Sequence, residues 1–189
     1  MTIRVFGPRD TRDPLTIDTT SRSPTWSRNL SPFYLGPIPL YRGAPLESSK
    51  NFENAWQYAK VYGNHADESQ APTLSYWKWA QEGWSNSRAV RYPMGKGAIP
   101  LYSLWGEKRL SYIEARKTIY FPLYARAVVT TDAFAELLAL YRTRGELSLW
   151  DFDGYDHTKL GMSLKDVLEC PSRKMGHSFV LAYLLERLR

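Results

Sequence analysis

The sequence predicts a mainly α fold, an α+β arrangement with a small N-terminal β element, folded as a single domain over residues 1–189. Three observations lead there. Apolar residues recur at helical spacing in several stretches, most clearly in "TTDAFAELLALYRTRG". Clear alternation of apolar and polar residues, as in a half-buried strand, is confined to the first twenty positions. A chain of 189 residues can also bury one core without disulfides or structural metals.

Taken in order, "TIRVFG" and "PLTIDTT" alternate, and the turn formers of "GPRDTRDP" between them predict a short hairpin that serves as a cover over residues 1–28. From 29 to 46, four prolines and two glycines among aromatics exclude a helix and predict an ordered loop with short extended pieces. Ser48 or Ser49 is placed to accept from a free amide at the start of a helix that runs to about Tyr62 and stops at Gly63. "LSYWKWAQEGW" predicts a second helix, and the Gly and Pro of "SNSRAVRYPMGKGAIPLY" predict loop. A helix over "SYIEARKTIY" is expected to end or kink at Pro122. In the next helix Thr131 caps the start, Phe134, Leu137, Leu138 and Tyr141 share one face, and Gly145 closes the end. "SLKDVLE" and "HSFVLAYLLERLR" give two more helical runs on either side of Cys170 and Pro171, the second an additional helix within residues 170–189.

Lys and Arg outnumber Asp and Glu by 25 to 19, a net charge of +6, which attracts an anionic partner such as a phosphate or nucleic acid. Charge of this size also serves solubility alone. Seven Trp and thirteen Tyr exceed the needs of a core and suit stacking on flat rings. Cys170 is the single cysteine, which excludes an internal disulfide and a thiolate metal cluster and points to a reducing, cytoplasmic compartment. The longest apolar stretch, near "FVLAYLL", is too short for a bilayer, so no membrane partner is expected. Dinucleotide, phosphate-loop, HExxH and GxSxG signatures are absent, and His65, His157 and His177 are scattered, so neither cofactor nor metal is expected. His157 reads as a surface residue.

The stretch "NFENAWQYAKVY" is the most informative. On a helix Glu53, Gln57 and Lys60, spaced i, i+4 and i+7, fall on one narrow stripe and face one ligand together. Phe52, Ala55 and Ala59 form a second stripe that docks on the core, with Trp56 at the boundary. A solvated polar face is the plain alternative.

Motif order adds to this. "NLSPFYLGPIPLYRG" followed by "FENAWQYAK" resembles the start of the NADAR (YbiA-like) family, with its S-N-F aromatic loop and its E-H-x-x-Q-x-x-K helix. These read here as Ser31, Pro32 and Phe33, then Glu53, Asn54, Gln57 and Lys60. "LWDFDGYDHTKLG" is similar to the family's W-G-x-G-x-D-G-x-G-x-N-x-L-G through Trp150, Asp153, Gly154, Leu160 and Gly161. The resemblance covers about Ile3 to Glu169, with a family-like core over 29–169. Pro32, Asn54, Asp151 and Thr158 depart from the pattern, and the tail from Cys170 lies outside it.

The resemblance implies a YbiA-like single-domain helical fold and an N-glycosidase acting on an N-ribosyl bond. The substrate is expected to be anionic and nucleotide-like, either a riboflavin-pathway ribosylamino-pyrimidine phosphate or an ADP-ribosylated nucleobase, including one in nucleic acid. Departure of the base leaves positive charge on the ribose, so a carboxylate near the anomeric carbon is required. Glu53 is expected to activate water or stabilise the sugar cation, and Asp153 to position the ribose or share acid and base roles. Asp151 and Asp156, in the same turn, compete for the second role. Trp150 would stack on a ring, Ser31 and Phe33 would line the aromatic loop, and Asn54 and Gln57 would bond polar edges. Lys60, Arg88 and Arg91 would neutralise phosphate. Two other readings stand beside this one, a non-catalytic sensor of ADP-ribose or a related nucleotide and a basic module that grips single-stranded nucleic acid.

Overall fold

The computed structural model describes residues 2–188. Its strands are β1 (Thr2–Phe6), β2 (Ile17–Asp18), β3 (Ile38–Pro39), β4 (Ser48–Ser49), β5 (Lys60–Val61), β6 (Tyr102–Trp105), β7 (Lys108–Leu110) and β8 (Glu146–Trp150). The helices are α1 (Phe52–Gln57), α2 (Leu74–Ser85), α3 (Tyr112–Ala115), α4 (Phe121–Val128), α5 (Asp132–Arg144), α6 (Leu164–Glu169) and α7 (His177–Arg187). The mainly α expectation is corrected: 41% of the chain is helical and 14% is strand, distributed over three small sheets, a mixed content. Strands β3, β4 and β5 lie in stretches read from sequence as loop or helix, because strands of two residues leave almost no periodicity to detect.

The chain forms two compact units, a discontinuous one from Met1–Tyr34 with Tyr124–Arg189 and a continuous one from Leu35–Leu123. In the discontinuous unit β8 lies between β1 and β2 and runs parallel to both, with Thr2 opposite Glu146, Phe6 opposite Trp150 and Ile17 opposite Leu149. The expected N-terminal hairpin is therefore corrected. The β1 and β2 stretches do extend, but the intervening segment is longer than the two to five residues of an ordinary hairpin loop. The central strand instead supplies buried Leu147, Leu149 and Trp150. Helix α5 forms as its caps dictate: Thr131 Oγ1 accepts from the Phe134 amide at 3.1 Å, and Gly145 takes the left-handed φ of +73°. Helix α7 buries every side chain from His177 to Ala182 and packs on β1, so the C-terminal helix is part of this unit's core.

In the continuous unit α1 is half the expected length. Asn51, not Ser48 or Ser49, caps it by accepting from the Asn54 amide at 2.9 Å, and the two serines form β4. After Tyr58 the chain turns extended, and β5 pairs antiparallel with β6, Lys60 opposite Ser103 and Val61 opposite Tyr102. Backbone bonds from Leu104 to the Ala59 carbonyl and from Leu101 to the Val61 carbonyl extend this pairing. Aromatic and β-branched "YAKVY" suits a sheet better than a third helical turn. A tight turn at Gly106, φ +65°, then leads into β7. Tyr76, Ala80 and Trp84, one helical turn apart on α2, are fully buried against Tyr58, Val61, Tyr102 and Leu104.

Helix α3 starts at a capping box of Ser111 and Glu114 and passes into a single π turn, Arg116–Tyr120. α4 follows directly with Pro122 in its first turn, so the helical run neither ends nor breaks there. The wide turn accommodates a ring that has no amide to give.

Candidate functional site: a buried carboxylate on α1

Every residue of α1 is buried. Glu53 keeps only 6% of its surface, and its Oε1 accepts from Gln57 Nε2 at 2.9 Å. Gln57 Oε1 accepts in turn from Lys60 Nζ at 2.7 Å. The ammonium also lies 4.9 Å over the Trp56 ring. The stripe read from helical spacing thus exists, although Lys60 stands on a strand. A carboxylate, an amide and an ammonium form one relay running from the core toward the half-buried Lys60. Trp56 and Phe52, on either side of Glu53, each meet the Tyr120 ring edge-on at 5.1 Å.

Asn54 behaves differently from the expectation that it bonds a ligand's polar edge. It is fully buried, its Nδ2 donates to the carbonyls of Asn86 and Arg88 at 3.0 Å each, and its Oδ1 accepts from the Val90 amide at 2.8 Å. Asn51 Nδ2 donates to the carbonyls of Asn86 and Ser87, both at 3.3 Å. Two asparagines of one helix start therefore clamp the 86–90 backbone, a segment that makes no regular structure of its own. That clamp anchors the loop carrying Arg88, which is exposed, and half-buried Arg91, whose guanidinium lies 5.3 Å from the Tyr92 ring centre.

The discontinuous unit holds the other expected residues. Trp150 ends β8 and is buried. The Arg12 guanidinium covers its ring at 3.6 Å and Phe152 meets it edge-on at 4.9 Å, contacts that already occupy much of a platform expected to stack on a ligand. Asp151 is buried, with Oδ2 2.9 Å from His177 Nδ1 and accepting from the Ser178 amide at 3.1 Å, while Oδ1 accepts from the Asp153 amide at 3.1 Å. His177 Nε2 faces the Thr19 carbonyl at 2.9 Å. Both ring nitrogens are thus engaged by the fold and neither is presented to a ligand. Burial alone would raise the Asp151 carboxyl. The His177 charge and hydrogen bond and the two amides outweigh it and hold the group far below the ordinary carboxylate range.

Asp156 is also buried, and its Oδ1 accepts from the Thr158 amide and hydroxyl and from the Lys159 amide, which hold it ionised against its burial. Of the three aspartates in this turn only Asp153 is partly exposed, 3.6 Å from Lys174 Nζ. A glycine is required at 154 because a Cβ there would meet the Phe6 carbonyl oxygen at 2.3 Å. His157, read as a surface residue, is instead 4% exposed with no partner at Nδ1, and burial pushes it below the ordinary imidazole value. Ser31 is buried where a 3-10 turn ends, its Oγ accepting from the Phe33 amide at 3.4 Å, and Phe33 is half-buried.

The structure thus brings Glu53, Asn54, Gln57, Lys60 and the Arg88 backbone together in one unit and places Ser31, Phe33, Trp150 and Asp153 in the other. Sequence reasoning missed Asn51, His177 and the buried Arg116. Only Asn51 carried a local signal, a cap-forming residue just before Phe52. Among the described residues no group of three His, Cys, Asp or Glu is placed to hold a metal, and no helix is long and apolar enough to cross a membrane.

A family model described as a family of unknown function (DUF6939) matches residues 9–159, about four-fifths of the chain. The chain belongs to that family. The matched span includes both the Glu53 helix and the 150–157 turn, and α7 lies beyond it. No curated protein and no solved structure matches this member of the family.

Proposed function

We propose that the protein is an N-glycosidase that hydrolyses an N-ribosyl bond in a phosphorylated, nucleotide-like substrate, without metal or cofactor. An ADP-ribosylated nucleobase and a ribosylamino-pyrimidine phosphate are the two substrate classes. The observation that carries the reading is the buried Glu53 carboxylate, steadied by Gln57 and continued to Lys60. A carboxylate fixed away from bulk water is worth most where positive charge develops on the sugar. As the C–N bond opens, the base leaves with the bonding electrons, Glu53 stabilises the ribosyl cation or takes a proton from the attacking water, the water oxygen bonds to the ribose, and the proton the water loses is matched by the one the base gains. Lys60 and Arg88 supply positive charge for phosphate. Asp153 is the discontinuous unit's candidate for an acid or base. The NADAR-like order of Glu53, Gln57 and Lys60 supports the same chemistry, and the single Cys170 suits a cytoplasmic location.

Incubation of wild type and Glu53→Gln with ribosylamino-pyrimidine phosphates, NAD-like nucleotides and ADP-ribosylated guanine oligonucleotides, read by mass spectrometry for free base or ADP-ribose, tests this. Wild type is expected to turn over one of these, and Glu53→Gln to lose about 100-fold or more. Full activity in the variant would remove Glu53 from the chemistry. Tight nucleotide binding without turnover would favour the sensor, and salt-sensitive binding of generic single strands the nucleic-acid module.

A further inference from the structure

We infer that Arg116 is the counter-charge of Glu53 and that, on the N-glycosidase reading above, it serves as a positioning residue that keeps this carboxylate ionised and aimed. Among the described residues of the continuous unit, Glu53 at 6% and Arg116 at 1% exposure are the only buried charged side chains. A buried ion needs an opposite charge or several strong hydrogen bonds, and a guanidinium cannot shed its proton to avoid that need. The Tyr112 hydroxyl, 2.8 Å from Arg116 Nη2, offers a neutral partner with no charge to offset.

The turn carrying Arg116 lies against the helix carrying Glu53. Tyr120 closes the π turn that Arg116 opens, and its ring sits edge-on against both Phe52 and Trp56 at 5.1 Å. Those two residues bracket Glu53, so the turn carrying Arg116 is packed on the helix carrying Glu53. Four residues apart in a helical turn, Arg116 and Tyr120 share a side. A guanidinium carries five donors in a planar fork, so a bond to Tyr112 and a bond to a carboxylate are compatible. At 1% exposure Arg116 is withdrawn from solvent, so it acts through Glu53 and not as a phosphate ligand.

Thermal unfolding of wild type, Glu53→Gln, Arg116→Met and the double variant tests the pairing independently of any activity. Arg116→Met alone is expected to lower Tm by roughly 10 °C, and by much less in the Glu53→Gln background, because the second substitution removes the stranded charge. Recovery of soluble double variant where Arg116→Met alone is insoluble is the same result in another form. Equal losses in both backgrounds, or loss of the double variant as well, would overturn the pairing. The positioning role is read separately from the pH profile of turnover. The acid limb of Arg116→Met is expected to rise by about one to three pH units, with Arg116→Lys restoring most of it and KM little changed. An acid limb that stays in place in Arg116→Met would overturn that role while leaving the N-glycosidase assignment intact.

Discussion

Replacing Asp151 by Asn should destabilise the protein more than any other isosteric change in the 150–157 turn. The carboxylate accepts on both oxygens, from His177 and the Ser178 amide on one and from the Asp153 amide on the other. An amide of the same shape has one accepting oxygen, so in either orientation its NH2 confronts a donor. No shift of the group relieves this, because Gly176 leaves so little room that a Cβ there would lie 2.1 Å from Asp151 Oδ2. The substitution also takes the carboxylate away from His177 Nδ1, whose ring faces the neutral Thr19 carbonyl through Nε2. Removing one partner of a buried pair costs about 3–5 kcal/mol, a fall of about 10 °C in Tm for a chain of this size.

Urea and thermal unfolding at pH 7 measure the loss, and the pH dependence identifies its source. The Asp151 carboxyl is held far below the ordinary carboxylate range, so wild type binds fewer protons folded than unfolded in acid. On the acid side, its advantage over Asp151→Asn should shrink steadily as pH falls below about 4. A loss under about 1 kcal/mol, or two stability curves that stay parallel from pH 7 to pH 2, would refute the buried ion pair.

Two other outcomes follow from the same contacts. Asn54→Ala removes three hydrogen bonds to the 86–90 backbone and should cost about 2 kcal/mol while speeding exchange of the Val90 amide at least tenfold; an unchanged Val90 rate would mean the loop is held by something else. His157, lowered chiefly by burial, should titrate below 6.5 in an NMR series, and its contribution to stability should fall as pH drops from 6.5 toward the folded midpoint. A midpoint at or above 6.5 would show that the ring is solvated.

What could be read in advance is what local physics decides. Helix α5 announced itself through Thr131, Gly145 and a repeating apolar face, α6 through its Ser163 cap, and α2 and α7 through apolar periodicity alone, because each of these signals is local. The position of β8 between β1 and β2 depends on a register spanning some 140 residues, for which no local pattern exists. The short α1 was overestimated for a related reason. The composition of "YAKVY" leans toward a sheet, but the helical spacing of Lys60 masked it, and the strand is completed by the edge that Ser103 and Tyr102 present. Burial was equally hidden: His157 and Arg116 belong to types usually assigned to the surface or to a helix face, and tertiary context alone encloses them.

The candidate site divides along the same line. Glu53, Gln57 and Lys60 could be grouped by spacing, since the i, i+4 pair lies within α1 and an i, i+3 contact from Gln57 reaches Lys60 across the change from helix to strand. Asn54 could not be assigned, because an asparagine that reads a ligand and one that holds a loop look identical in sequence. With both N–H groups and a carbonyl lone pair committed to backbone, its effect on any ligand passes through Arg88 and its neighbours. If phosphate is bound by that loop, Asn54→Ala should raise KM while Glu53→Gln lowers kcat, since one change disperses a binding charge and the other removes a group needed as the bond breaks.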